Sequence, residues 1–283
     1  MNLRFAFFGT PEISVVILNH LEKAGFLPSL IISSPDKTKG RGLELSMPET
    51  KKWALAQNIE VLQPLKLDDE TYEKITSLGQ WDIFIVCAYG KIIPQKFLDI
   101  AKKGNINVHP SLLPKYRGPS PIQAQILSDE KEVGTTIMLM DALMDHGAIL
   151  AQKKIDVEMP KKFEDLIEVL ADESGKLLVE TLPKYLSGEI NGKKQNHQKA
   201  TVCKMIKKEH GLLDLSGNPR ENYLKFLALN PWPSTYFLQN IKGKDVRIKI
   251  TDADFVDGQF IIKKIIPEGK HEMSYEDFKR GIK

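Results

Sequence analysis

Asn105-Ile106-Asn107-Val108-His109-Pro110-Ser111-Leu112-Leu113-Pro114-Lys115-Tyr116-Arg117-Gly118 opens as a strand and closes as a loop. Alternation puts Ile106 and Val108 on one face and Asn105, Asn107 and His109 on the other. Pro110 removes a backbone donor and ends the pairing, so Ser111 to Pro114 pass over the strand's carboxyl end. An amide donor and an imidazole, two residues apart, therefore face the same way at a strand end. That pair suits a reaction in which a carbonyl oxygen gathers negative charge while a proton moves.

On a strand, Asn-x-His alone is more often an ordinary polar edge. The neighbourhood changes that reading. About thirty residues on, Met140-Asp141-Ala142-Leu143-Met144-Asp145-His146-Gly147 follows an apolar strand and offers a carboxylate in a turn. A carboxylate beside an imidazole favours its charged form and fixes its tautomer. Asn107, His109 and Asp145 together make an acyl-transfer site that calls for neither a metal nor a covalent nucleophile.

The segments around this stretch set the fold class. Leu3 to Phe8 is an apolar run stopped by Gly9-Thr10-Pro11, a buried first strand and a tight turn. Ile13 to Ala24 carries apolar residues at helical spacing and ends at Gly25. Further strands are expected at Leu30 to Ile32, Ile59 to Leu62, Trp81 to Cys87 and Ile106 to Val108. The helices between them are expected at Glu49 to Gln57, Glu70 to Leu78 and Pro94 to Lys102. Beyond the central loop come a helix (Pro121 to Leu127), two strands (Val133 to Met140, Ile149 to Ile155) and a helix from Phe163 to Glu180, with Pro183 past its end. Alternating strands and helices imply an α/β, doubly wound, mostly parallel sheet, whose ligands bind outside the strands' carboxyl ends. The first turn has one glycine where a dinucleotide fingerprint needs three, so a pyrophosphate cradle is not supported.

Composition narrows the class further. The chain has 283 residues, enough for one large domain and a small one, with 42% hydrophobic and 27% charged residues. A net charge of +3 is too small to mark a nucleic-acid protein by bulk charge, so RNA contacts would come from local clusters. Two cysteines, Cys87 and Cys203, argue for a reducing compartment rather than a disulfide scaffold. No apolar run approaches ~18 residues and no signal peptide precedes the first strand, so a soluble cytoplasmic protein is expected, without a membrane partner.

The motifs taken together resemble those of the 10-formyltetrahydrofolate-dependent formyltransferases: Asn-x-His, then Ser-Leu-Leu-Pro-Lys-Tyr-Arg-Gly, then Pro121-Ile122-Gln123, then Met-Asp-x-x-x-Asp-x-Gly. Among these the likeness is to the branch that acts on initiator methionyl-tRNA. The resemblance implies Asn107, His109 and Asp145 as catalytic residues and 10-formyltetrahydrofolate as co-substrate, with no metal. It implies that Tyr89 and Gly90, with Ser111, Leu112, Leu113, Pro114 and Asp141, hold the folate. Gly9 and Thr10 match the family's first turn and stand on the tRNA side. Lys37, Lys39 and Arg41, in a basic loop after the second strand, match a tRNA-gripping insertion; read without the family, the same run is a solvated surface. Two positions depart from the pattern: His146 stands where the family has a small hydroxyl residue, and Leu143 replaces a glycine. His146 is read as a bystander.

The organisation expected is a catalytic domain over 1–190, a polar, lysine-rich linker over 191–211 and a small tRNA-binding domain over 212–283. Lys204, Lys207 and Lys208 fall on one side if their segment is helical, and add to the tRNA contact; read blandly, they mark a charged hinge. Asn230-Pro231-Trp232-Pro233 matches the start of the family's OB-like carboxyl domain. Regular elements expected after Tyr236 are few (Val246 to Ile250, Gln259 to Lys264, Tyr275 to Lys283), which predicts an abbreviated or open barrel. A monomer is expected. Two other readings stay open: an amino-sugar or sugar-nucleotide formyltransferase with the same donor, and a non-enzymatic RNA-binding protein, which the three filled catalytic positions disfavour.

Overall fold

The computed structural model describes residues 3–39 and 44–282. It divides into two compact units that interleave along the chain. One comprises 1–119, 132–156 and 167–202; the other comprises 120–131, 157–166 and 203–283. The division after residue 202 falls inside the expected linker, and two internal segments cluster with the carboxyl-terminal unit. The expected boundaries at 190 and 211 therefore do not coincide with it.

In the first unit the strands are β1 (Phe5–Gly9), β2 (Leu30–Ile32), β3 (Lys37–Lys39), β4 (Glu44–Ser46), β5 (Glu60–Leu62), β6 (Ile83–Cys87), β7 (Asn105–His109), β8 (Val133–Leu139) and β9 (Ile149–Ile155). Seven of them form one sheet in the order β5-β2-β1-β6-β7-β8-β9. The pairs from β5 through β7 are parallel, and β8 and β9 run antiparallel. β1 and β6 are buried at every position, the pattern of a sheet covered on both faces. Helix α1 (Glu12–Lys23) lies against the Gly9 and Cys87 side, where the Ser14 hydroxyl donates to the Cys87 carbonyl at 2.7 Å. The alternate residues, Ala6, Phe8, Leu30, Ile32, Phe84 and Val86, pack on the other face with residues of α3 (Asp69–Ser77) and α4 (Gln95–Leu98). Burying each such large side chain contributes about 1.5–3 kcal/mol. Helix α2 (Glu49–Ala56) precedes β5.

Three local expectations differ. Helix α4 stops after four residues because Ala101 turns to bridge Trp81 and Lys102 donates to the Trp81 carbonyl. Helix α6 (Phe163–Leu186) runs through Pro183, because its last turns are held from outside. Leu182 is fully buried, and the Tyr185 hydroxyl donates to the Lys103 carbonyl at 2.6 Å. The basic loop after β2 is no open loop either: β3 and β4 pair as a hairpin, Lys37 opposite Ser46 and Lys39 opposite Glu44.

The second unit holds α5 (Pro121–Leu127), α7 (Pro219–Leu229) and an antiparallel sheet of β10 (Tyr236–Ile241), β11 (Lys244–Val256), β12 (Gln259–Pro267) and β13 (Met273–Ser274), followed by α8 (Tyr275–Gly281). The strands are longer than expected: β11 and β12 form one extended hairpin with a bulge near Asp252. Leu212 adds a single parallel bridge to Tyr236 on the β10 edge. Among the described residues β10 and β13 do not pair, so the sheet is an open meander rather than a closed barrel. No helix among the described residues is long and apolar enough to cross a membrane.

Candidate active site

β7 lifts Asn107 and His109 to the carboxyl end of the sheet, the position alternation requires. His109 is 4% exposed, and its Nε2 donates to the Tyr116 carbonyl at 2.9 Å. A carbonyl only accepts, so Nε2 carries the proton and Nδ1 turns toward Asp145, 3.6 Å from Oδ1. The tautomer is thus set by a backbone carbonyl of the loop, not by the carboxylate as the sequence suggested. At 3.6 Å the carboxylate acts on the ring by charge, not as a hydrogen-bond acceptor. Asp145 Oδ1 accepts from Asn107 Nδ2 at 3.1 Å, and Oδ2 accepts from the Gly118 amide at 2.8 Å. The three side chains converge, and one N–H of Asn107 remains for a ligand.

Two non-glycine residues hold left-handed backbone here: Tyr116 at φ 60° and Asp145 at φ 51°. Such residues cost on the order of 1–3 kcal/mol each and persist only where the surroundings fix them. Close packing of the Asp145 loop also explains the glycine of the Asp-x-Gly motif, since a Cβ at Gly147 would collide with the Leu139 carbonyl.

Residues read as folate contacts divide into two groups. Leu112 and Pro114 stay half-buried at the surface, and Gly90, at φ 78°, is exposed on the turn after β6. Tyr89, by contrast, is buried at 3% with its ring edge-on to Phe8. Among the described residues its hydroxyl has no partner, and burial pushes the phenol pKa up to about 12. Ser111 and Leu113 are buried too. The Ser111 hydroxyl donates to the Lys115 carbonyl, while Thr136 and Gln152 satisfy the backbone of Leu113. Ser111 and Leu113 shape the loop from beneath, because tertiary packing has claimed their polar groups. Asp141 binds its own loop: Oδ1 accepts from the Leu143 amide at 3.0 Å and Oδ2 lies 2.7 Å from His146 Nδ1. Leu143 is 61% exposed, and the positive φ of this loop falls on Asp145 instead.

The residues read as tRNA contacts are scattered. Gly9 is buried in β1 and its carbonyl accepts from the Thr50 hydroxyl, so it serves the approach of β1 to α1. Thr10 is half-buried and its hydroxyl meets Ser34. Lys37 is exposed, and partial burial of Lys91, then the charge of Lys37, lowers the Lys91 pKa. Lys39 lies in β3, and Arg41 lies outside the described residues. Lys204, Lys207 and Lys208 are exposed in the second unit. Their segment is extended up to a short 3-10 turn, Lys208–Gly211, so they do not share a helical face. Burial of Cys203 and Ile206 holds it in that form.

Sequence reasoning missed the strap over 193–202. Lys193 pairs with Ile149 through both backbone bonds, and Thr201 pairs with the loop at Tyr116 and Arg117. Gln195 and His197 lie on it. Nothing in their local pattern marks them, since their partners lie 48 to 80 residues away.

A doubly wound sheet with an amide, an imidazole and a carboxylate gathered at one strand end has the geometry that acyl-group transfer requires. The formyl transferase family pattern matches residues 2–182, and this chain belongs to that family. Methionyl-tRNA formyltransferase of Thermodesulfovibrio yellowstonii is 36% identical over 301 residues, covering 100% of this chain and 97% of its own. Among solved structures, a sugar N-formyltransferase from Shewanella superposes with a TM-score of 0.67 at 19% identity, covering 91% of this chain and 100% of its own. Methionyl-tRNA formyltransferase from Clostridium thermocellum superposes at 0.60 and 16%, covering 94% and 98%. At those identities the superpositions speak for the fold alone.

Proposed function

We propose that this chain transfers the formyl group of 10-formyltetrahydrofolate to the α-amino group of methionyl-tRNA(fMet), producing the formylated initiator tRNA of translation. Formyl-folates are the donor class of its family. The observation that carries the reading is the convergence of Asn107, His109 and Asp145 at the end of β7, in a chain with a full-length relative of that activity. The amine attacks the formyl carbon, and the remaining Asn107 N–H donates to the oxyanion, worth about 3 kcal/mol for one such donor. His109 Nδ1 takes the proton from the amine and delivers it to the departing N10. The Tyr116 carbonyl fixes the ring and the Asp145 charge stabilises it as it becomes cationic. No metal is invoked.

The half-buried Leu112 and Pro114, with the backbone of Tyr89 and Gly90, are the surfaces offered to the pterin. Lys37, Lys39 and Arg41 in the first unit, and Lys204, Lys207 and Lys208 in the second, are offered to tRNA phosphates. The first unit is thus catalytic and the second, with its open sheet, binds tRNA. The protein acts as a cytoplasmic monomer. The test is incubation with 10-formyltetrahydrofolate and either methionyl-tRNA or an amino-sugar nucleotide. N-formylmethionine on the tRNA is expected; formylation of the sugar alone would overturn the proposal.

A further inference from the structure

Gln195 is buried at 6% exposure, and both ends of its amide are saturated. Its Oε1 accepts from Arg117 Nε at 3.2 Å and Nη2 at 2.6 Å. Its Nε2 donates to the Asp145 carbonyl at 2.9 Å and the Gly147 carbonyl at 2.8 Å. One side chain therefore clamps the backbone on both sides of His146. Arg117, itself buried at 9%, is fixed in turn by its backbone bond to Thr201 and by its Nη2 contact with His197 Nδ1 at 2.9 Å. The His197 ring stacks on His146 at 4.1 Å, closing the circle around the loop. The clamped loop is the one that must hold Asp145 at φ 51°. An L-residue is strained there and relaxes unless its carbonyls are held.

We propose that Gln195, locked by Arg117, is a positioning residue that holds the Asp145 carboxylate against Asn107 and His109. It touches no reacting atom and acts through Asp145. This rests on the catalytic reading of Asp145 given above. The competing role is purely structural: Gln195 satisfies the buried guanidinium and nothing more.

Gln195→Glu separates the two. The carboxylate keeps the Arg117 pair but loses both donors to the Asp145 and Gly147 carbonyls. If Gln195 positions Asp145, kcat falls by about 10²-fold, the effect of a misplacement of about 1 Å, with little change in KM for methionyl-tRNA. The thermal midpoint falls, because two buried carbonyls lose their donor, while folate affinity stays near that of the parent. A cycle with Asp145→Asn completes the test: the double variant is no slower than Asp145→Asn alone, because both changes remove one function. Parental kcat in Gln195→Glu, or a double variant slower than Asp145→Asn, overturns the proposal while leaving the catalytic reading in place. Parental kcat in Asp145→Asn overturns the catalytic reading itself. Should Gln195→Glu not fold, Gln195→Met, which loses the Arg117 acceptor as well as both donors, is read through the cycle alone: a double variant no slower than Asp145→Asn supports the proposal and a slower one overturns it.

Discussion

Two regions meet at the site, and they are held in different ways. Asn107 and His109 stand on a strand whose neighbours on both sides, β6 and β8, fix its register residue by residue. Asp145 stands on a loop, in left-handed backbone, held by a strap about fifty residues further along the chain. The sheet alone fixes the backbone of the strand end, and the His109 ring takes one further support from the Tyr116 carbonyl. The loop needs Gly147, Gln195 and Arg117, and is the part of the site that substitutions or solution conditions can loosen. The same chemistry thus depends on one rigid contributor and one supported contributor.

The largest effects test whether both regions belong to one catalytic unit. Asn107→Ala, His109→Ala and Asp145→Ala are each expected to lower kcat, by about 10²- to 10⁴-fold for the proton-transfer group and about 10²- to 10³-fold for the oxyanion donor. Far-ultraviolet circular dichroism should stay that of the parent. Parental turnover in any one of them removes that residue from the site and breaks the comparison on that side.

The two regions also differ in how far they could be read from the residues. The strand end was legible: alternation alone placed Asn107 and His109 together, and apolar runs placed β1, β2, β6 and β8. The loop was legible only in its carboxylate. Its support was not, because a glutamine fifty residues away has no period or motif that ties it to Asp145. The same reason explains Tyr89 and Ser111. Their residue types suit ligand contact, but whether a hydroxyl faces a ligand or the core is decided by packing, which local sequence does not carry. Pro183 within α6 is a further case, where burial of Leu182 and the Tyr185 bond outweigh proline's helix-breaking tendency.

An effect of intermediate size comes from acid. His197 accepts from Arg117 only when neutral, and partial desolvation, then the charges of His146 and Arg117, lower its pKa below 6.5, with Asp141 pulling the other way and Lys194 adding to the depression. The unfolded chain takes up this proton near 6.5 while the folded chain resists it. Protons therefore favour unfolding, and stability falls as pH drops through 6.5 and below. At pH 5.5 the thermal midpoint and kcat are expected to fall together. His197→Asn, whose amide oxygen accepts from Arg117 without titrating, is expected to flatten the fall in the thermal midpoint; an unchanged fall would free the loop from this dependence.

The smallest effect sharpens the contrast between groups that face a ligand and groups that only shape the site. The Tyr89 hydroxyl is buried with no partner among the described residues, and an unsatisfied buried hydroxyl costs about 1–3 kcal/mol. Tyr89→Phe removes it and keeps the ring on Phe8, so the protein should gain about 1 kcal/mol, a rise of roughly 2–4 °C in the thermal midpoint of a unit this size. Folate affinity should be unchanged, since only the Tyr89 backbone is assigned to the pterin. A variant that is more stable yet binds formyl-folate more weakly would show that the hydroxyl turns to the ligand on binding. Its lack of a partner would then be the cost of holding a donor ready, and the turn after β6 would join the Asp145 loop as a part of the site that depends on what surrounds it.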